Sequence, residues 1–131
     1  MTPTEQFIEM FVLKERQDRY LALASKPSRR EDFVWSLAHD GRHLDRRFMR
    51  QLPTTQSASD AIALLQSHKV GTRCFVVAAL YEEFDNSEFD TNKVLSSVIG
   101  TSNDCIVFFP TACMAYYENH EGERYILQRP T

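Results

Sequence analysis

Glycine and proline are scarce in this chain, with four and five residues among 131. So few breakers leave little room for long disordered linkers. No stretch reaches the ~20 consecutive apolar residues that a membrane helix requires. The opening MTPTEQFIEMF has no positive start, no long apolar core and no small-residue cleavage site, so a secretory signal is not expected. There is no G-x-S-x-G elbow, no P-loop and no dinucleotide glycine pattern, which removes the usual signatures of serine hydrolases and nucleotide-binding enzymes. The three cysteines, Cys74, Cys105 and Cys113, are odd in number and sit in apolar runs. That pattern reads as buried reduced thiols in a cytoplasmic protein rather than a disulfide framework. An excess of positive charge is also lacking: 15 Lys and Arg face 18 Asp and Glu, for a net charge of −3 and a pI near 5.8. A chain whose main task is to neutralise a nucleic-acid backbone would carry the opposite balance.

What remains is an ordinary globular composition, 43% apolar and 25% charged, of a length that suits one domain. Helix signals dominate its first half. Thr2-Pro3-Thr4-Glu5 is a capping box with proline at the first helical position, and Phe7, Met10, Phe11, Leu13, Tyr20, Leu21 and Ala24 recur at helical spacing. The pattern predicts one long helix over about 3–24. Ser28-Arg29-Arg30-Glu31 repeats the box, and Phe33, Val34, Leu37 and Ala38 predict a second helix over 29 to about 40, stopped by Gly41. Residues 1–40 thus read as an antiparallel helical hairpin. Residues 41–56 read as an irregular, arginine-rich connection, in which 45–52 fits either a short helical turn or an edge strand.

Residues 57–131 read as a sheet-forming core. A helix opens at Ser57–Asp60 and closes at Gly71. The apolar run Cys74–Leu80 is a strand covered on both faces, a helix capped by Asp90 or Thr91 runs to Gly100, and Cys105–Phe109 is a second buried strand. A strand, a helix and another buried strand suggest a right-handed parallel crossover. Two further strands follow, over 113–118 and 123–128. A three-residue loop at His120-Glu121-Gly122 would set Tyr117 opposite Tyr125 and Glu118 opposite Arg124. The expected fold is therefore a single α+β domain over 1–131. Its four-stranded mixed sheet has order 1-2-3-4, with a parallel first pair, a C-terminal antiparallel meander and helices on its faces. Any face the helices left bare would need a partner subunit, hence a possible homodimer.

Three clusters could carry function. His39 and His43 stand four apart, the spacing at which one helical face grips a metal ion. Gly41 lies between them and should turn the rings apart, and the chain is expected to hold no metal and no cofactor. His68 and His120 stand isolated in the sequence. The second cluster is the arginine segment. From Lys26 to Arg50 there are seven Lys or Arg against four Asp or Glu. Arg42, Arg46, Arg47 and Arg50 are candidate anion ligands, because a guanidinium grips phosphate or carboxylate with a planar fork. With them, His39, His43 and Asp45 are candidate proton-transfer groups for an enzyme acting on a phosphoester-type substrate. Arginines beside Asp40 and Asp45 favour the ionised form, which suits ion pairing better than proton donation.

The third cluster is the acidic stretch Glu82-Glu83-Phe84-Asp85-Asn86-Ser87-Glu88-Phe89-Asp90. It fails the calcium-loop pattern, since a loop starting at Asp85 would place Phe89 at the fifth position. It fits a protein-binding loop in which Phe84 and Phe89 are apolar anchors and Glu82, Glu83, Asp85 and Glu88 form a negative rim. It could equally pair with the arginine segment inside the molecule. The leading expectation is a small cytoplasmic binding or regulatory protein acting on an unknown protein partner. The alternative is the phosphoester enzyme, and an RNA-binding module comes third.

Overall fold

The computed structural model describes residues 1–39 and 41–130. Asp40, one of the two aspartates expected to pair with the arginine segment, lies outside the described residues. The class is α+β, but the expected four-stranded mixed sheet is replaced by one antiparallel sheet of six strands. In chain order the elements are α1 (Pro3–Phe11), α2 (Gln17–Ala24), α3 (Arg30–Ala38), β1 (Met49–Gln51), α4 (Ala58–Ser67), β2 (Arg73–Ala78), β3 (Ser87–Asp90), α5 (Thr91–Val98), β4 (Cys105–Phe109), β5 (Met114–Glu118) and β6 (Arg124–Gln128). The sheet order is β1-β6-β5-β4-β2-β3.

The four expected strands keep their neighbours, yet β2 and β4 run antiparallel, with Val77 opposite Ile106 and Ala78 opposite Cys105. The reason is β3. It forms inside the acidic stretch and pairs back along β2, with Cys74 opposite Phe89. This extra pass returns the chain to the start of β2 before α5 begins. α5 then climbs the face of the sheet and β4 descends. One unrecognised reversal changes the sense of the pair and removes the parallel crossover.

The predicted helix over 3–24 is broken. Thr2 does cap α1, bonded to the Glu5 amide at 3.1 Å while Glu5 bonds back to the Thr2 amide at 3.0 Å. The helix stops at Phe11 because Val12 turns extended and bridges Leu44. The Asp45 amide donates to the Phe11 carbonyl at 2.7 Å, and the Leu13 amide to the His43 carbonyl at 2.9 Å. A 3-10 turn over Lys14–Arg16 leads into α2. The second predicted capping box is absent too: Pro27–Arg29 is a 3-10 turn and α3 begins after it without a side-chain cap. The hairpin of two helices is thus a layer of three.

That layer covers one face of the sheet. Phe7, Phe11, Tyr20, Phe33 and Leu37 pack on Phe75, Ile106, Phe108, Tyr117 and Leu127. α4 and α5 cover the other, with Leu65, Val94, Leu95 and Val98 on Val76, Val107, Phe109, Tyr116 and Ile126. Helices therefore cover both faces of the sheet. Residues 49–51 resolve the ambiguous 45–52 segment. A 3-10 turn over Arg46–Phe48, capped by Asp45, runs directly into the edge strand β1.

One buried carboxylate fixes the loop between α5 and β4. Glu118, at the end of β5, is wholly enclosed. It accepts from the Gly100 amide at 2.9 Å, from the Ser102 amide at 2.6 Å and from the Tyr116 hydroxyl. Burial and then the neighbouring carboxylate push the Tyr116 phenol far up, so it remains a proton donor. Glu118→Ala leaves the buried Tyr116 hydroxyl and the Gly100 and Ser102 amides without their acceptor. The expected loss is about 3 kcal/mol or more, read from urea unfolding, with hydrogen-exchange protection lost first at 100–102.

Candidate functional site

Where α1 breaks, the chain lays the start of α2 beside residues 42–45. α3 ends at Ala38, whose carbonyl accepts from the Tyr117 hydroxyl at 2.7 Å. Gly41 then takes φ +68° against the Tyr117 ring. A Cβ there would meet a ring carbon at 2.7 Å, so glycine is required on both steric and torsional grounds. The result is an open cleft of about 540 Å³ lined by Leu13, Glu15, Arg16, Arg19, Trp35, Ser36, His39, Arg42 and His43.

His39 and His43 both border this cleft, but on opposite sides of the Gly41 turn, and their rings have different partners. The Tyr20 hydroxyl donates to the Ser36 carbonyl at 2.8 Å and lies 2.6 Å from His43 Nδ1. The hydroxyl proton is already directed at a carbonyl, so the hydrogen bridging to His43 belongs to Nδ1. His39 instead directs Nδ1 at Asp104 Oδ2, 3.1 Å away. Its ring is sandwiched between Trp35 at 4.5 Å and His120 at 4.4 Å, with interplanar angles of 15° and 10°. His120 bonds to the other oxygen of Asp104 through Nδ1, at 3.0 Å, and through its amide, at 2.8 Å. The bond to Asp104 raises the His120 imidazole above its ordinary value.

Of the arginine candidates, only Arg42 lines the cleft with the histidines. The guanidinium of Arg47 grips Asp45 with bonds of 2.7 to 3.2 Å, and both residues border a separate hollow with Glu9, Lys14 and Arg129. Asp45 also accepts from the Arg47 amide at 3.1 Å, so it serves as a cap and an arginine partner. Arg46 lies over the Tyr125 ring. Arg50 is exposed on β1. The set His39, His43 and Asp45 is therefore not assembled in one place. Arg16 and Arg19 supply the remaining charge. They lie outside the arginine-rich segment, and only the break after Phe11 brings them to the histidines.

The acidic stretch is largely spent inside the molecule. Asp85 forms a two-point ion pair with Arg30 at 2.6 and 2.9 Å and caps the Ala78 amide at 2.9 Å. Glu88 pairs with Arg73 across the hairpin at 3.1 Å. Phe84 is buried and Phe89 packs edge-on against it, so Phe84 is not presented to a partner. Glu82 and Glu83 are exposed. Among the thiols, burial pushes Cys74 up to about 11 and Cys105 higher still, which leaves both inert at neutral pH.

No family model, no curated protein and no solved structure matches this chain.

The Asp45–Arg47 pair makes a pH signature. The Arg47 hydrogen bond holds the Asp45 carboxyl below its ordinary value of 3.8. A depressed carboxylate contributes stability that is complete above about pH 4 and disappears as pH falls through the lower folded value. Asp45→Ala should cost about 1 kcal/mol at pH 7, from the lost cap and ion pair. In chemical denaturation that difference from the wild-type chain should shrink as the pH is lowered toward about 2.

Proposed function

We propose that this chain is a binding protein whose cleft takes a small anionic ligand carrying phosphate or carboxylate. The observation that supports this reading is the convergence of Arg16, Arg19 and Arg42 with His39 and His43 on one cleft that, among the described residues, holds a single acidic one, Glu15. Among the described residues, the guanidinium groups of Arg16 and Arg19 make no hydrogen bond or ion pair. Planar guanidinium forks are the side chains best matched to phosphate and carboxylate, and the cleft is of small-ligand size. Binding without chemistry is favoured because Asp45 stands elsewhere and both histidines have Nδ1 committed to a structural partner. The test is titration with inorganic phosphate and with a phosphorylated aromatic such as phenyl phosphate, followed by NMR. The double variant R16A/R19A should bind at least about tenfold more weakly, the scale of losing a charge-assisted hydrogen bond. Arg46→Ala should bind as the wild type does. Equal binding by all three chains removes the reading.

A second reading, a protein partner, gains support at a neighbouring groove. Trp35 and Leu80 are 59% and 70% exposed, and both line a groove of about 640 Å³ with Val34, Ala78, Glu31 and Glu82. The apolar anchors move from Phe84 and Phe89 to Trp35 and Leu80, inside a rim that is still acidic. Such a surface suits a basic segment bearing an apolar side chain. If it is used, W35A/L80S should lose a partner that the wild-type chain retains on a column, while R16A/R19A should not.

A further inference from the structure

We propose that His39, Asp104 and His120 form a binding site for a divalent transition-metal ion, with zinc the best match. The three residues come from different parts of the chain: the C-terminus of α3, the loop before β4 and the β5–β6 turn. One donor atom from each can be chosen so that all three lie within 4.8 Å of one another. His39 Nδ1 lies 3.1 Å from Asp104 Oδ2, and His120 Nδ1 lies 3.0 Å from Asp104 Oδ1. Zinc holds imidazole nitrogen and carboxylate oxygen at about 2.0–2.2 Å, which spaces two ligands of a tetrahedral ion roughly 3.3–3.5 Å apart. The ion would take the place of the protons now shared between the rings and the carboxylate; each ring nitrogen now meets a different carboxylate oxygen, so the donors must converge on one centre.

The donor set is also right in kind. Two imidazoles and one carboxylate suit zinc, and three protein ligands leave a fourth position for water. The supports that orient such ligands are in place. Trp35 fixes the plane of His39, and the His120 amide holds one oxygen of Asp104 at 2.8 Å. Glu118 anchors the loop that carries Asp104. The rings of His39 and His120 lie parallel, so their lone pairs do not yet meet, and one ring must turn to share the ion. His120 is the one that turns: its side chain is 43% exposed and it sits at the tip of a hairpin.

This site does not depend on the anion-binding reading, since only His39 borders the cleft. The experiment is calorimetric titration of the full chain with zinc chloride, paired with cobalt absorption spectra. One equivalent of zinc should bind. His120→Ala and Asp104→Asn should each weaken binding at least tenfold, the least that loss of even an outer partner of a metal ligand costs. The asparagine variant keeps an acceptor for the His120 amide, so its fold is retained, which circular dichroism verifies. His68→Ala, on the α4 terminus, and R16A/R19A should bind as the wild type does. Cobalt should give d–d bands without a thiolate charge-transfer band. The assignment is overturned if the wild-type chain takes up no zinc, if H120A and D104N take it up unchanged, or if cobalt reports a cysteine ligand.

Discussion

A single enclosed carboxylate governs where the loop after α5 sits. Glu118 ends the most central part of the sheet and would be costly to bury alone. Its cost is offset by two backbone amides of the loop after α5 and by the Tyr116 hydroxyl. Those bonds hold the loop against the end of β5. Asp104, two residues beyond Ser102, then stands beside His120 on the adjoining turn and within reach of His39 at the end of α3. A contact that looks purely structural thereby fixes the position of a polar cluster on the surface.

A second constraint acts at the junction of α1 and α2. Val12 leaves the helix to pair with Leu44, and the Phe11 and His43 carbonyls accept amides across the junction. A continuous helix over 3–24 would have carried Arg16 and Arg19 along a straight axis. The break instead redirects α2, packs Tyr20 against His43 and walls the cleft with both arginines. The α1–α2 junction lines the cleft that His39 borders, and the loop held by Glu118 carries Asp104, the partner of His39 Nδ1.

Much of the architecture could be read from local pattern. The caps at Thr2, Ser57 and Asp90, the left-handed glycines and the Tyr117–Tyr125 register follow from rules that act within a few residues. What could not be read depends on distant partners. Helical spacing continues unbroken through Val12, and only its pairing with Leu44, far along the chain, reveals the break. The strand Ser87–Asp90 has one apolar residue, Phe89, and hides in an acidic run, and its omission inverted the sense of β4. The candidate site divides the same way. His39, His43 and Arg42 were visible as neighbours in sequence, with Gly41 correctly placed as the turn between them. Arg16, Arg19, Asp104 and His120 carry no local signal, because the tertiary fold alone brings them together.

The two short outer strands have a consequence of their own. An antiparallel sheet invites a foreign strand wherever its last strand shows unpaired amides and carbonyls. Here one border is β1, three residues long, with Arg50 and Gln51 exposed and Pro53 close behind. The other is β3, four residues long, which presents Glu88 and Asp90. Short length, charge and a nearby proline make both borders poor templates. The sheet is therefore closed to growth by strand addition, and crowded copies of this chain should resist coalescing through their backbones into fibrils.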